Sequence, residues 1–446
     1  MKIEEVIEEA VRLVIPTDEE KKRAKEVEVD LSRRMTEILK DYENLRFEFL
    51  GSYARDTWLK GSLEFDVFIL FPEEYPPEEL EKRGLEIGKA ALDKYELRYA
   101  AHPYVHGWVK EAEVDIVPCY ALKSTAKIQS AVDRTPFHHY WLIDRIKGKQ
   151  TDVRLLKKFL KSSSLYGAEY SVRGFSGYLC ELLIIFFGSF RETVMKCRNL
   201  TRNTVIDVNS GEFTKKKGLD NILVIDPVDE KRNVAANLSL DKLAEFVEKC
   251  RNFVESPSID FFHEKEKPEV SKELLEQEIK DRNTGLYVIE FEKPDIVKDN
   301  LYPQLERACK KITEHLSRNK LMPLRSGYFA GKMCYLVFET EVKEISAIER
   351  RSGPVFEDYE NVKKFVTKRR EYVPFIEGGR YYVYARRKCN KTENILKDFI
   401  RKEGKYLGKN IGEKLTNFTL LKNAEILELD DEFNKYLVEF LTLSRR

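Results

Sequence analysis

The 446-residue chain has no apolar run approaching the ~20 residues that a membrane-spanning helix needs, so no membrane span is expected. Its cysteines, at positions 119, 180, 197, 250, 309, 334 and 389, form no CxxC pair. An odd number of cysteines in mostly apolar surroundings reads as reduced, largely buried thiols of a cytoplasmic protein, with no zinc site. No signal peptide is expected either: MKIEEVIEEAVRLVIP reads as an acidic amphipathic helix. Charge of one sign is in short supply. The formal net charge is only +1, which argues against a protein that simply coats nucleic acid. There is no internal repeat and no low-complexity segment. What is present is 42% apolar and 35% charged, the composition of a globular protein with room for several cored domains. The Lys, Arg and Glu content leans toward a thermophile.

The neutral total hides a pattern. Residues 140–217 hold 15 Lys/Arg against 7 Asp/Glu, and residues 363–409 hold 15 against 5. Two basic territories suit a protein that grips a structured polyanion at separate places.

The most informative stretch is Gly51–Phe71, GSYARDTWLKGSLEFDVFILF. A Gly-Ser pair in a turn-prone link is followed by Glu64-Phe65-Asp66 and then an apolar run that reads as a buried strand. Side chains two apart on a strand share a face, so Glu64 and Asp66 stand side by side at the edge of a core. Like charges at that distance call for a cation, and a hard divalent ion such as Mg2+ prefers oxygen ligands. The Gly-Ser turn suits the phosphate end, because backbone N–H groups and a small hydroxyl can approach an anion closely. A further carboxylate, Asp115, sits in Glu113-Val114-Asp115-Ile116-Val117-Pro118, a second apolar strand pattern.

Along the chain, residues 1–45 read as two helices, the second capped by Thr17 or Asp18 ahead of Glu20. Residues 46–72 read as strand, turn, helix and strand, and residues 77–94 as a helix. Residues 95–120 read as two strands, one around His102-Pro103-Tyr104 and one from Trp108 to Pro118. Helices fill 136–200, short strands 201–237 and a helix 238–255. Pro257 and Pro268 bracket a boundary. Beyond it, a strand at 286–291, a helix at 302–318 and a hairpin-like pair suggest a βαββ ferredoxin-like sandwich.

Taken in order, GSYARDTWLKGSLEFDVF, HPYVHG, VDIVPCY, AVDRTPFHH, VRLLKKFLK, YGAEYSVRGFSGYLCELLI, DPVDEKRNVAANLS and KPDIVKDNLYPQLER resemble the archaeal class I tRNA nucleotidyltransferases, the CCA-adding enzymes. These belong to the polymerase-beta-type nucleotidyltransferases. The resemblance implies an α+β multidomain fold. It would comprise a nucleotidyltransferase domain over 1–135 with a mixed sheet and helices, and a helical nucleotide-binding domain over 136–265. A ferredoxin-like RNA-binding domain would span 266–380 and a basic α/β tail 381–446. It implies template-free addition of C, C and A to the 3′ end of tRNA from CTP and ATP, with release of pyrophosphate. A poly(A) polymerase or another template-free RNA nucleotidyltransferase is the alternative. Glu64, Asp66 and Asp115 would be the catalytic residues and hold two Mg2+ ions. Ser52, Arg55, His138, Lys157, Tyr166 and Arg232 match nucleotide-binding positions, Arg232 facing the base edge. The implied partners are tRNA, CTP and ATP; a homodimer stays open.

Overall fold

The computed structural model describes residues 2–99, 103–264, 272–368 and 372–442. His102 and Pro268 lie outside them. The chain divides into two compact units, Met1–Glu266 and Lys267–Arg446.

The first unit opens with α1 (Ile3–Val14) and α2 (Asp18–Leu39). Thr17 caps α2 as its sequence predicts: the Thr17 hydroxyl accepts from Glu20 N at 3.1 Å, and Glu20 Oε2 accepts from Thr17 N at 2.7 Å. Then come β1 (Arg46–Leu50), the single turn α3 (Gly51–Ala54), β2 (Glu64–Phe71), α4 (Pro77–Ala91), β3 (Lys94–Tyr99), β4 (Pro103–Val109) and β5 (Ala112–Tyr120). The strands form one mixed sheet, ordered β1-β2-β5-β4-β3, in which only β2 and β5 are parallel neighbours. Alternation along β2 explains its position. Phe65, Val67, Ile69 and Phe71 enter the core built with α2 and α4, while Glu64 and Asp66 share the opposite face with Phe68 and Leu70.

Where two strands were expected in 95–120, there are three. β4 and β5 form a hairpin closed by Lys110 and Glu111, both with positive φ (46° and 67°). That conformation is usually signalled by Asn or Gly, and neither is present. β3, Lys94–Tyr99, lacks an apolar run, and its residues from Lys94 to Arg98 are exposed.

Four helices follow: α5 (Thr135–Arg145), α6 (Gln150–Lys161), α7 (Gly177–Phe187) and α8 (Phe190–Cys197). They share a core with α1 and α9 (Leu240–Glu255). Between α8 and α9, β6 (Thr204–Asp207), β7 (Glu212–Lys215), β8 (Leu223–Asp226) and β9 (Asp229–Asn233) form a small sheet ordered β7-β6-β8-β9.

The second unit runs α10 (Lys272–Arg282), β10 (Gly285–Glu292), α11 (Lys298–Arg318), β11 (Pro323–Ala330), β12 (Met333–Thr340), β13 (Ile348–Val355), α12 (Tyr359–Lys368), β14 (Phe375–Glu377), β15 (Arg380–Arg386), α13 (Thr392–Glu403), α14 (Ile411–Lys414), β16 (Thr419–Lys422) and α15 (Asp431–Thr442). The antiparallel sheet β11-β12-β10-β16 has the ferredoxin-like order expected of a split βαβ unit. Tyr287, Ile289 and Phe291 of β10 enter one core, while Leu286 and Val288 enter the other. A three-stranded sheet, β13-β15-β14, is inserted between β12 and α13. Residues after 380 therefore supply β15 to one sheet and β16 to the other. The cysteines are all free, and all but the half-buried Cys389 are buried. No helix among the described residues is long and apolar enough to cross a membrane.

Candidate active site

Asp66 sits opposite Leu50, the last residue of β1, where the chain turns directly into α3. Gly51 makes that turn with φ +66°, and a Cβ there would strike the Asp66 carboxylate. Only glycine lets the backbone pass so close. Half-buried Ser52 follows on the same turn.

The parallel register of β2 and β5 sets Glu64 beside Glu113 and Asp66 beside Asp115. Glu64, Asp66 and Asp115 thus share one face of the sheet. Among the described residues, none of the three has an ion pair with Lys or Arg. Glu64 is exposed at the start of β2, yet the protein crowding its carboxyl raises it to about 7, helped by Asp66, Asp115 and Glu113. Burial and then Asp115 raise Asp66 to about 6, against the pull of Arg55 and Lys157. Asp115 is raised by burial and partly restored by His106. No three His, Cys, Asp or Glu side chains among the described residues form a ready-made metal cluster. The donors here are carboxylate oxygens presented from one sheet face.

His106 is a residue that sequence reasoning missed. It lies on β4 directly across from Asp115, is buried, and holds Asp115 Oδ1 at 2.6 Å through Nδ1. Its ring stands edge-on to Trp108 at 5.1 Å. The signal lay in the β4–β5 hairpin: once its turn is placed at Lys110-Glu111, the register brings 106 to 115.

The cationic side is built on the link between α3 and β2. Arg55 is buried, its Nε 3.1 Å from Glu181 Oε1. The Thr57 hydroxyl donates to the same oxygen at 2.7 Å. Lys157 of α6 is only 3% exposed, and its Nζ donates to the Thr57 carbonyl at 3.0 Å. Burial lowers the Lys157 amine, and Glu181 restores part of its charge. Arg154 fixes the same link, donating to the Trp58 carbonyl at 2.8 Å and pairing with Asp56. The half-buried Tyr166 hydroxyl and Lys157 flank Gly177 at the start of α7.

His138 and Arg232 meet on a carboxylate that the sequence did not single out. Fully buried Asp226 accepts from His138 Nε2 at 2.9 Å, Arg232 at 2.7 Å, Tyr178 at 3.0 Å and the Val228 N–H at 3.1 Å. Burial alone would raise this carboxyl, but those donors hold it at about 2. The His138 ring stacks on Tyr178 at 4.0 Å. Arg232 thus pairs with Asp226, whereas its neighbour Asp229 pairs with Arg134 at 3.0 Å. The charge of Arg55 acts on both Asp66 and His138, pulling the pKa of each downward.

In the second unit, Arg386 of the basic 363–409 territory is exposed, while Arg387 is paired with Glu349 at 2.7 Å.

Three family models match: the nucleotidyltransferase domain over 31–138, the second domain of tRNA nucleotidyltransferase over 151–263, and the C-terminal domain of CCA-adding enzymes over 282–423. A CCA-adding enzyme of Archaeoglobus fulgidus is 56% identical over 96% of each chain. Another, from Methanosarcina mazei, is 35% identical over 94% of this chain and 93% of that one. A solved structure of the Cid1 poly(U) polymerase with Mg 3′-dATP bound overlays with a TM-score of 0.45 and 14% identity, over 58% of this chain and 98% of that one. On the sequence relatives and the three matched domains in order, the chain belongs to the CCA-adding enzyme family of nucleotidyltransferases.

Proposed function

We propose that this chain adds C, C and A to the 3′ end of tRNA without a nucleic-acid template, using CTP and ATP. The observation that carries the reading is the face shared by Glu64, Asp66 and Asp115. Three carboxylates stand together with no Lys or Arg paired to them among the described residues, and Arg55 and Lys157, both buried, act on Asp66. The names of the relatives favour CCA addition over poly(A) synthesis.

An all-oxygen set of unmatched like charges fits a hard divalent cation that keeps positions open for phosphate. Glu64, Asp66 and Asp115 would hold two Mg2+ ions, which when bound acidify the RNA 3′-hydroxyl and neutralise the triphosphate. The chain's own groups do the rest. Arg55 and Lys157 draw in the triphosphate, and the Ser52 hydroxyl donates to a phosphate oxygen. Asp115, steadied by His106, accepts the proton of the attacking 3′-hydroxyl. That oxygen bonds to the α-phosphorus as the bond to pyrophosphate breaks. Tyr166 lines the nucleotide site beside Lys157. His138 and Arg232, fixed by Asp226, face the base. In this reading residues 1–135 carry catalysis, 136–265 hold the nucleotide, and 266–380 and 381–446 bind RNA through phosphates. Free cysteines throughout fit a reducing cytoplasm.

The test supplies single nucleotides to tRNA ending before CCA. CTP alone should extend the RNA by two residues, and ATP should add one residue only after them. Long ATP-only products would overturn the reading in favour of poly(A) synthesis.

A further inference from the structure

Helix α7, GYLCELLIIFF, carries one charged residue, Glu181, and it is fully buried. A carboxylate in an apolar helix is costly unless opposite charge accompanies it. Glu181 has that company, arranged unevenly. Both of its donors, Arg55 Nε at 3.1 Å and the Thr57 hydroxyl at 2.7 Å, fall on Oε1. Oε2 is buried without a partner. Arg55 and Lys157 both act on Glu181, and the same two cations act on Asp66, so Glu181 and the carboxylate face share them. The Arg55 side chain makes its one described hydrogen bond through Nε, which leaves the two terminal guanidinium nitrogens without a partner among the described residues. A guanidinium gripped at Nε with its fork free is preorganised for a phosphate. Thr57 extends the same anchor to Lys157, whose Nζ donates to the Thr57 carbonyl at 3.0 Å and lies 3.3 Å from its hydroxyl.

We propose that Glu181 is the positioning residue of the triphosphate site: it holds Arg55 by Nε, sets Lys157 through Thr57, and touches no substrate itself. The inference rests on the nucleotidyltransferase reading above. Because a triphosphate is common to both substrates, Glu181 governs the affinity for CTP and ATP equally and leaves the choice between them alone.

Glu181→Gln keeps the shape and an acceptor but removes the charge. On tRNA lacking CCA, and on tRNA ending in CC, its KM should rise about tenfold for CTP and ATP alike, with kcat nearly unchanged. The CTP-to-ATP ratio of kcat/KM and the melting temperature should stay close to wild type. The double variant Arg55→Gln with Glu181→Gln should raise KM by clearly less than the two single variants combined, because Glu181 works in part through Arg55 and keeps only its Thr57–Lys157 arm once Arg55 is gone. A wild-type KM in Glu181→Gln, a rise for one nucleotide only, or additive effects in the double variant would overturn the proposal. Should Glu181→Gln fail to fold, Thr57→Val removes only the hydroxyl between Glu181 and Lys157. It must raise KM for both nucleotides, and an unchanged KM there is equally fatal. If wild type adds no nucleotide at all, the reading of the whole site falls. If wild type adds and Glu181→Gln is indifferent, only this inference falls.

Discussion

Asp66 in the first unit and Glu339 in the second are both carboxylates set in the inner strands of a sheet, yet their surroundings are opposite. Glu339 is fully buried on β12 and saturated. Arg282 Nε reaches it at 2.7 Å, Arg325 Nε at 2.8 Å and the Thr284 hydroxyl at 2.6 Å. Burial pushes its carboxyl up, but those partners bring it below the usual range. Asp66 has no hydrogen bond or ion pair of that kind among the described residues, has Asp115 in register beside it, and is raised to about 6. A carboxylate that the protein neutralises from its own residues serves the fold. One that it leaves with like-charged neighbours is destabilised by them unless a cation from outside the chain joins it. Glu181 lies between these extremes, with one oxygen used and one unused.

The comparison can be broken from either side. The largest effect belongs to Asp66→Ala. It should fold normally and lose on the order of 10³-fold or more in nucleotide addition, measured as kcat on tRNA lacking CCA. Near-full activity would remove Asp66 from the site. Glu339→Ala should do the reverse. It leaves Arg282 and Arg325 without their shared counter-ion and should cost ~3–5 kcal/mol of stability in denaturant unfolding, with kcat per folded molecule retained. A variant as stable as wild type would mean that the pairing contributes nothing.

A smaller effect is expected at the Asp226 cluster. Uracil presents N3–H and O4 where cytosine presents N3 and N4–H₂, so a fixed cationic donor disfavours uracil. Arg232→Ala should lower the CTP-to-UTP ratio of kcat/KM by the equivalent of ~1–3 kcal/mol. If both rates fall together at a constant ratio, Arg232 binds phosphate or only braces Asp226.

The smallest effect concerns pH. The raised pKa values of Glu64 (about 7) and Asp66 (about 6) mean that the folded protein binds these protons more tightly than the unfolded chain. Without metal, their contribution to stability is therefore lost as pH rises from near 4 to above 7. In chelator, Asp66→Asn should melt a few degrees above wild type at pH 8, and the gap should close toward pH 4. A gap independent of pH would show that Asp66 carries no such strain.

Much of this was legible in the sequence, because the informative residues lie in strands with strong apolar alternation. Glu64 and Asp66 precede Val67–Phe71, and Asp115 sits within an equally apolar run. The βαββ succession of the second unit was legible for the same reason, while its strand order, with β16 at one edge, comes from the fold. What escaped reading depends on register and on burial of polar groups. His106 meets Asp115 only through a hairpin whose turn, Lys110-Glu111, carries no turn signature. The inserted sheet was missed because β13, IERRSGPV, is charged and largely exposed. Lys157 sits next to Lys158 on an amphipathic helix, where the pattern suggests an exposed cation. It is buried because Thr57 and Glu181, distant in sequence, satisfy it. Asp226 escaped because its donors come from α5, α7 and β9, elements that only the fold brings together.

The most direct measurement is the melting temperature of the full chain titrated with Mg2+ at pH 8 in the absence of nucleotide. Wild type should gain stability saturably, by mass action on the folded state. Glu339→Gln should gain the same increment from a lower starting point, and Asp66→Asn should gain little. An Asp66→Asn protein stabilised by Mg2+ as much as wild type would contradict the account, since the unmatched carboxylates of β2 and β5 would then not be where the cation binds.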